Sequence, residues 1–392
     1  MKTIVFLGSN KLGSSYEAIR AADSMGYYTV LLTNRPSFID KRVDFPHAHS
    51  VRLCNLGDLG EIRNALDRLQ IAFFNICAIV SFVDPHCRTA AILSRERGLK
   101  HFSETAIAVM LDKIESRELL RKTPYVPNYY VTDNPKLSAR AIREMPLVLK
   151  SPVSTGSKDV HLVSTALEYK KTFSKLNTPV LVEKFVDGAQ YLVETLTVNG
   201  KVHIAAVVEQ EITFTGRFII TGYRMVVGDY ELSLKKAVEN IIKLHGMRDG
   251  PCHLELRRFN NRWILIEANP RISGGAMNTF IETAYGINLA GETLKCALGL
   301  EPDFGRKYEK ETYLKYIIVP RRGILEKVTG KKLALNSAGV EQVYVRPKKG
   351  TELRPPTSMG HRYAYVIATG DTGAEAEQNA KNAAAKIKLH LT

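Results

Sequence analysis

Between Gly250 and Arg271 the chain reads Gly-Pro-Cys-His-Leu-Glu-Leu-Arg-Arg, then Phe-Asn-Asn-Arg, then Trp-Ile-Leu-Ile-Glu-Ala-Asn-Pro-Arg. Two apolar runs flanking a polar turn predict an antiparallel hairpin. A pairing centred on Asn261 sets Glu255 opposite Glu267, with both side chains on one face. Like charges facing each other across a ladder repel, so such a hairpin requires something positive between them. The strand period of two adds Asn269 and Arg271 to the face of Glu267. Two carboxylates, an amide oxygen and a guanidinium suit magnesium held with a nucleotide phosphate, hard oxygens for the metal and a planar fork for the phosphate. A merely solvated strand face is disfavoured. The run Trp263 to Ile266 belongs in a core, and a surface strand has no need of the Arg-Ile-Ser-Gly-Gly that follows.

The rest of the chain supplies a setting for that hairpin. At 392 residues it exceeds what one core organises, so several packed units are expected. Thr3 to Leu7 is an apolar run ending in the loop Gly8 to Gly13, followed by a helix pattern to Met25 and a strand at Tyr28 to Leu32. With a helix at Asp58 to Leu69, a strand at Ile76 to Val83 and a helix at Cys87 to Arg97, residues 1–100 predict a doubly wound parallel α/β module. The loop glycines do not match GxGxxG, so they predict a tight turn rather than a dinucleotide site. Glu104 to Lys122 is helical in pattern and is stopped by the prolines at 124 and 127. Strands follow at Pro146 to Lys150, Val160 to Val163, Val180 to Val186, after Gln190, and at Val202 to Val208. Residues 101–178 and 179–304 are read as two subdomains, and 305–392 as a strand-rich unit closed by a helix from about Ala374 to Lys388.

Composition excludes several classes. The net charge is +15, from 55 basic and 40 acidic residues, but the basic residues are dispersed and not interleaved with aromatics. That pattern favours anionic small molecules over nucleic acid. The five cysteines show no CxxC pair, so neither a disulfide framework nor a zinc site follows. The longest apolar stretch, Ile71 to Val83, is too short to span a membrane, and the start is unlike a signal peptide, so a soluble cytoplasmic protein is expected. Walker A, HRD, DFG, HExxH and GxSxG are all absent.

The segments through Lys113, Lys150 with its loop, Glu183 to Val186 and Glu255 to Gly275 together resemble the ATP-grasp superfamily, specifically its carboxylate-amine ligases and the L-amino-acid ligases (dipeptide synthases) among them. The resemblance implies an α/β ATP-grasp fold in which the N-terminal doubly wound module precedes a small subdomain with a glycine loop and a large one with the metal site. A C-terminal lid unit, with Met359-Gly-His-Arg362 at its edge, completes it. ATP and two magnesium ions, replaceable by manganese, are the implied cofactors. Lys113 and Lys150 correspond to phosphate-holding lysines, Ser154, Thr155, Gly156 and Ser157 to the loop that closes over phosphates, and Glu183, Lys184, Phe185 and Val186 to the adenine-reading hinge. Gln190 stands where the family often has an acid, and Ser151 where it often has proline. Glu255, Glu267 and Asn269 correspond to the metal ligands, and Arg271 with Gly274 and Gly275 to the group that stabilises the reacting carboxylate. Ile220-Thr-Gly-Tyr223-Arg224 occupies the place of the Glu and His that often precede the hairpin, so Tyr223, Arg224 and His253 fall against substrate. The implied reaction joins the carboxylate of one amino acid to the amine of another through an acyl phosphate, releasing ADP and phosphate, in a protein that can form a homodimer. A ligase for a different carboxylate or amine, and an ATP-binding sensor without catalysis, are the alternatives.

Overall fold

The computed structural model describes residues 1–72, 74–154 and 159–392. Its N-terminal sheet is wholly parallel, in the spatial order Ser50–Leu53, Tyr28–Thr33, Lys2–Leu7, Asn75–Val80. The strands are apolar at consecutive positions because both faces are covered. Ile4 and Phe6 pack with Ala18 and Ile19 of helix Ser14–Ser24. Val5 and Leu7 point the other way, into Ile62, Leu66 and Leu69 of helix Leu59–Ile71 and Ala90 and Leu93 of helix Asp84–Glu96. This is the doubly wound module expected from the rhythm of the sequence.

The second sheet is antiparallel, in the order Tyr129–Thr132, Val180–Lys184, Leu147–Lys150, Val160–Val163. Helix Ala166–Phe173 starts at a capping box between Thr165 and Glu168 and lays Tyr169 and Phe173 on Leu147, Leu149 and Val182. Beyond the expected boundary at residue 178, Val180–Lys184 lies inside this sheet, hydrogen-bonded on both sides. The helical pattern of Glu104 to Lys122 also divides. Asp112 ends helix Glu104–Leu111, and its carboxylate accepts from the N–H groups of Ile114 (2.8 Å) and Glu115 (3.1 Å), which starts helix Lys113–Leu119 with Lys113 in its first position.

The large sheet has eight strands, in the order Arg262–Asn269, Gly250–Phe259, Gln190–Val198, Lys201–Phe214, Phe218–Met225, Glu311–Ile317, Ala364–Gly370, Val340–Val345. It crosses the expected boundary at residue 304, since Tyr223 pairs with Leu314 and Tyr313 with Ala368. The strand-rich C-terminal unit therefore continues the same sheet. Its closing helix, Gly373–Lys386, packs Ala376 and Ala380 on Tyr313 and Ala368. A three-stranded sheet of Glu352–Leu353, Gly323–Thr329 and Lys388–Leu391 flanks it. One apolar core joins the N-terminal sheet, the large sheet and helices Met277–Tyr285 and Leu289–Ala297, through contacts that include Phe6, Ile19, Met277, Phe280 and Leu314.

The N-terminal module meets the rest of the molecule at Gly13, whose φ is +80° and whose added Cβ would lie 2.6 Å from the carbonyl oxygen of Gly275. Gly26 has the same φ with open space around it. Gly13→Ala therefore meets both backbone strain and a backbone clash, Gly26→Ala the strain alone. We expect losses of about 3 and about 1 kcal/mol respectively, read from urea unfolding midpoints. Equal losses would show that the loop does not press on Gly275.

Candidate active site

The hairpin turns on Asn260 and Asn261, whose φ values of +47° and +57° form a two-residue turn that asparagine tolerates. Such a turn pairs Phe259 with Arg262 and Leu256 with Leu265, a register that would seat Glu255 opposite Ile266. A bulge shifts the ladder by one residue between Leu256 and Glu255, and Glu255 then pairs with Glu267. The facing glutamates expected from the sequence are present, although the pairing is centred one half-step from Asn261 and is recovered by the bulge. The residue that the bulge leaves without a partner, Ile266, gives its carbonyl to Arg117 Nη2 (2.7 Å) and Lys150 Nζ (3.2 Å).

Cations surround this face. Lys113 Nζ lies 3.2 Å from Glu267 and donates to the carbonyl of Ser154 at 2.9 Å. Lys150 is buried, and its Nζ sits 2.5 Å from Glu183, which also receives the Nε–H of Arg117. Burial works against the charge of Lys150 and lowers its pKa; Glu183 opposes that effect. Glu183, expected near adenine, is only 3% exposed and is shared by two cations, so in this arrangement it fixes Lys150 and Arg117. Burial, followed by the charge of Glu267, pushes the carboxyl of Glu255 up to about 7. Gln190 donates to Glu255 (3.1 Å) and to Gln210 (2.6 Å), while its own oxygen accepts from Arg257 (2.9 Å).

Along the segment expected to read adenine, the N–H of Lys184 donates to Asn128 (2.8 Å) and that of Phe185 to Pro146 (3.0 Å). The Phe185 ring lies parallel to Phe218, 6.1 Å away, with the Arg257 guanidinium 5.0 Å over it and the carbonyl of Val186 bonded to Arg257. The segment thus places an aromatic and guanidinium cluster at the junction of the small and large sheets. Of the loop residues, Ser154 stands at Lys113; Thr155, Gly156 and Ser157 lie outside the described residues.

From the carboxylate face a cavity of about 710 Å³ opens between the N-terminal, central and C-terminal parts of the chain. Glu255, Glu267, Asn269, His253, Arg271, Gly274, Gly275 and Tyr223 all line it. Arg224 does not join them. Its neighbour Tyr223 faces the cavity, so Arg224 leaves the opposite side of the strand and pairs with Glu377 of the last helix. The Nδ1 of His253 is 2.8 Å from the carbonyl of Arg271, and burial together with the Arg271 charge pushes its imidazole down to about 4. Arg271 is itself clamped by Asp84, with one contact of 2.6 Å from Nη2 and a second through Nε. Asp84 and Arg117 were not singled out in the sequence. Arg117 could have been, since it stands one helical turn after Lys113 on the same face; Asp84 carries no local signal, because only the fold brings it to Arg271.

Two family descriptions match the chain: an ATP-grasp domain over residues 143–280 and the L-amino acid ligase C-terminal domain 2 over residues 315–392. The crystal structure of an L-amino acid ligase from Bacillus licheniformis aligns with 100% of this chain and 99% of its own at a TM-score of 0.86 and 20% identity. The fold is therefore the mixed α/β ATP-grasp fold. By sequence, an uncharacterized protein, y4rH, of Sinorhizobium fredii is 24% identical over 419 residues, covering 100% of this chain and 84% of that protein. Carnosine synthase 1 of Mus musculus is 26% identical over 253 residues, 57% of this chain but only 31% of that protein.

One buried acid near the cavity has a measurable signature. Glu194 is 0% exposed; its Oε1 accepts from the N–H of Ser273 at 3.0 Å, its Oε2 has no partner, and burial pushes its carboxyl up to about 7. The folded state thus holds a proton that the unfolded chain releases near pH 4.5, so this group weakens the fold as pH rises from about 4.5 to about 7. Glu194→Gln keeps the oxygen that accepts from Ser273 and removes the titration. Its stability relative to the unsubstituted protein should increase by about 2.5 kcal/mol between pH 5 and pH 8 in urea unfolding. Parallel pH profiles for the two proteins would contradict this.

Proposed function

We propose that the chain is an ATP-grasp ligase of the carboxylate-amine type, similar to the L-amino acid ligases, and that it joins the carboxylate of one amino acid to the amine of a second and releases ADP and phosphate. The observation that carries this reading is the cross-strand pair Glu255–Glu267 at the mouth of a cavity large enough for two amino acids. A carboxylate pushed up to about 7 by burial and by its partner is a site short of positive charge, and with Asn269 the donor set is all hard oxygen. That set fits magnesium. Magnesium, when bound, supplies the charge that neutralises the phosphates of ATP.

The chain's own residues do the rest. Lys113 and Lys150, held by Glu267 and Glu183, offer ammonium groups to the β- and γ-phosphates. The base is placed at the Phe185–Val186 segment, beside the Phe185–Phe218 ring pair. The turn Arg271 to Gly275 lines the cavity beside the metal face and positions the reacting carboxylate. A carboxylate oxygen attacks the γ-phosphorus, the bond to the bridging oxygen breaks, and ADP leaves; the amine then attacks the acyl carbon and phosphate departs. His253 is neutral at physiological pH and directs Nδ1 at the Arg271 carbonyl, which orients the ring against the cavity. The amino-acid nature of both partners rests on the C-terminal domain match. Among the described residues no helix is long and apolar enough to cross a membrane.

A matrix of amino-acid pairs assayed for phosphate release, with products identified by mass spectrometry, should yield a dipeptide with ADP and phosphate in equal amounts; AMP and pyrophosphate would sink the acyl-phosphate route. Glu267→Gln should lower turnover by roughly 10²-fold or more, by analogy with the loss of a charge-stabilising group, and should raise the magnesium requirement. The exposed Glu326→Gln serves as control. Full activity with an unchanged magnesium dependence in Glu267→Gln would remove that carboxylate from the metal site.

A further inference from the structure

Arg271, the arginine that the family resemblance sets against the reacting carboxylate, is already paired. Its Nε and Nη2 are both engaged by Asp84, and its Nη1 donates to the carbonyl of Ile272 at 3.0 Å. Each of the three nitrogens makes a contact, and the ion pair is neutral as a unit. The other cations around the cavity are also occupied or remote. Lys11 is paired with Asp44, Lys113 and Lys150 are held by Glu267 and Glu183, and Arg20 and Arg346 are exposed at the rim.

Arg362 differs from all of these. It lines the same cavity, is largely buried, and has no carboxylate partner among the described residues. Its Nε donates to the carbonyl of Met359 (3.1 Å), its Nη1 reaches that of Ile220 (3.4 Å), and the guanidinium lies 3.9 Å over the ring of Tyr316. These contacts fix the plane of the fork without neutralising it. Tyr223, a neutral phenol, also hydrogen-bonds the guanidinium; Nη2 lies 3.6 Å from where a Cβ on Gly275 would stand, and the hydroxyl of Tyr316 comes to 3.1 Å of the same point. That hydroxyl is buried and has no hydrogen-bond partner. A buried, unneutralised guanidinium and an unsatisfied hydroxyl, both turned towards the glycine turn of the site, call for an anion between them.

We propose that Arg362 is a catalytic residue: its guanidinium receives the carboxylate that is to be activated and holds the charge that develops as that carboxylate oxygen bonds to the γ-phosphorus and ADP departs with the bridging oxygen. The proposal rests on the ligase reading. Asp84–Arg271 then becomes a positioning pair that sets the turn leading to Gly274 and Gly275, and the C-terminal part of the chain contributes directly to the chemistry. The absence of a side chain at Gly275 keeps the approach to Arg362 open, and its φ of +67° is one that glycine adopts without strain.

The test compares Arg362→Gln, Arg362→Lys and Arg362→Gly with the unsubstituted protein and with the exposed Arg322→Gln, each checked for folding by thermal unfolding. With an equimolar mixture of the twenty amino acids as substrate, Arg362→Gln should lower kcat/KM for the amino acids by about 100-fold while KM for ATP stays within about threefold. Arg362→Lys should retain more than Arg362→Gln, and guanidinium ion added to Arg362→Gly should restore part of the rate, which a merely structural arginine would not permit. A rate for Arg362→Gln within threefold of the unsubstituted protein, or a loss confined to KM for ATP, overturns the proposal. If the unsubstituted protein releases no phosphate with any mixture, the ligase reading falls, and equilibrium retention of the same mixture in the presence of MgADP, read by mass spectrometry, decides for Arg362. Retention abolished by Arg362→Gln upholds a carboxylate site there; equal retention by both proteins, or none by either, overturns it.

Discussion

The repulsion between Glu255 and Glu267 is the constraint around which the central part of this molecule is arranged. Two carboxylates in direct cross-strand register destabilise a hairpin unless positive charge compensates them. The chain answers with Lys113 on one side, Gln190 and Arg257 on the other, and with Lys150 and Arg117 anchored on the bulged Ile266 just behind. These groups come from the helix after Asp112, from the small sheet and from the large sheet, so the electrostatic need of one pair ties three elements together. The residual deficit shows in Glu255, whose carboxyl is pushed up to about 7. That deficit is what a divalent cation brought by a nucleotide would relieve.

The buried cations are themselves organised to remain charged. Glu183 takes Lys150 and Arg117 together, at a site where each alone would be costly to ionise. Asp84 does the same for Arg271 from the far side of the cavity, and so links the N-terminal module to the glycine turn. Gly13, pressed against Gly275, makes the same link through backbone alone. The N-terminal module is thus part of the wall of the site, and the eight-stranded sheet that runs on into the C-terminal part closes the cavity from the opposite direction.

Much of this was legible in the sequence where the signal was local. The apolar runs at Thr3 to Leu7 and Tyr28 to Leu32, the hairpin with its facing glutamates, and the closing helix near Ala374 all depend on periodicity within a dozen residues, and the structure contains each of them. The features that differ depend on contacts distant in sequence. Val180–Lys184 looks like the start of a new unit until its two partner strands are known, and nothing in the residues after 305 tells that Glu311–Ile317 will pair with Phe218–Met225. The bulge at Ile266 is invisible for another reason: a two-residue turn and a longer one both yield plausible pairings, and only the carbonyl contacts to Arg117 and Lys150 distinguish them. Adjacent Tyr223 and Arg224 could not both face substrate, and strand alternation alone was enough to say so, but not which of the two would.

We propose that the glutamate pair and the surrounding lysines form one site completed by magnesium and nucleotide together. This is tested most directly by the thermal unfolding of the unsubstituted protein across a matrix of magnesium and a non-hydrolysable ATP analogue. Because a ligand stabilises by RT ln(1 + [L]/Kd), a shared site makes the two ligands mutually dependent. Tm should rise with the analogue only slightly in EDTA, little with magnesium alone, and by much more than the sum when both are present. Additive shifts, or a full shift by the analogue in EDTA, would contradict it.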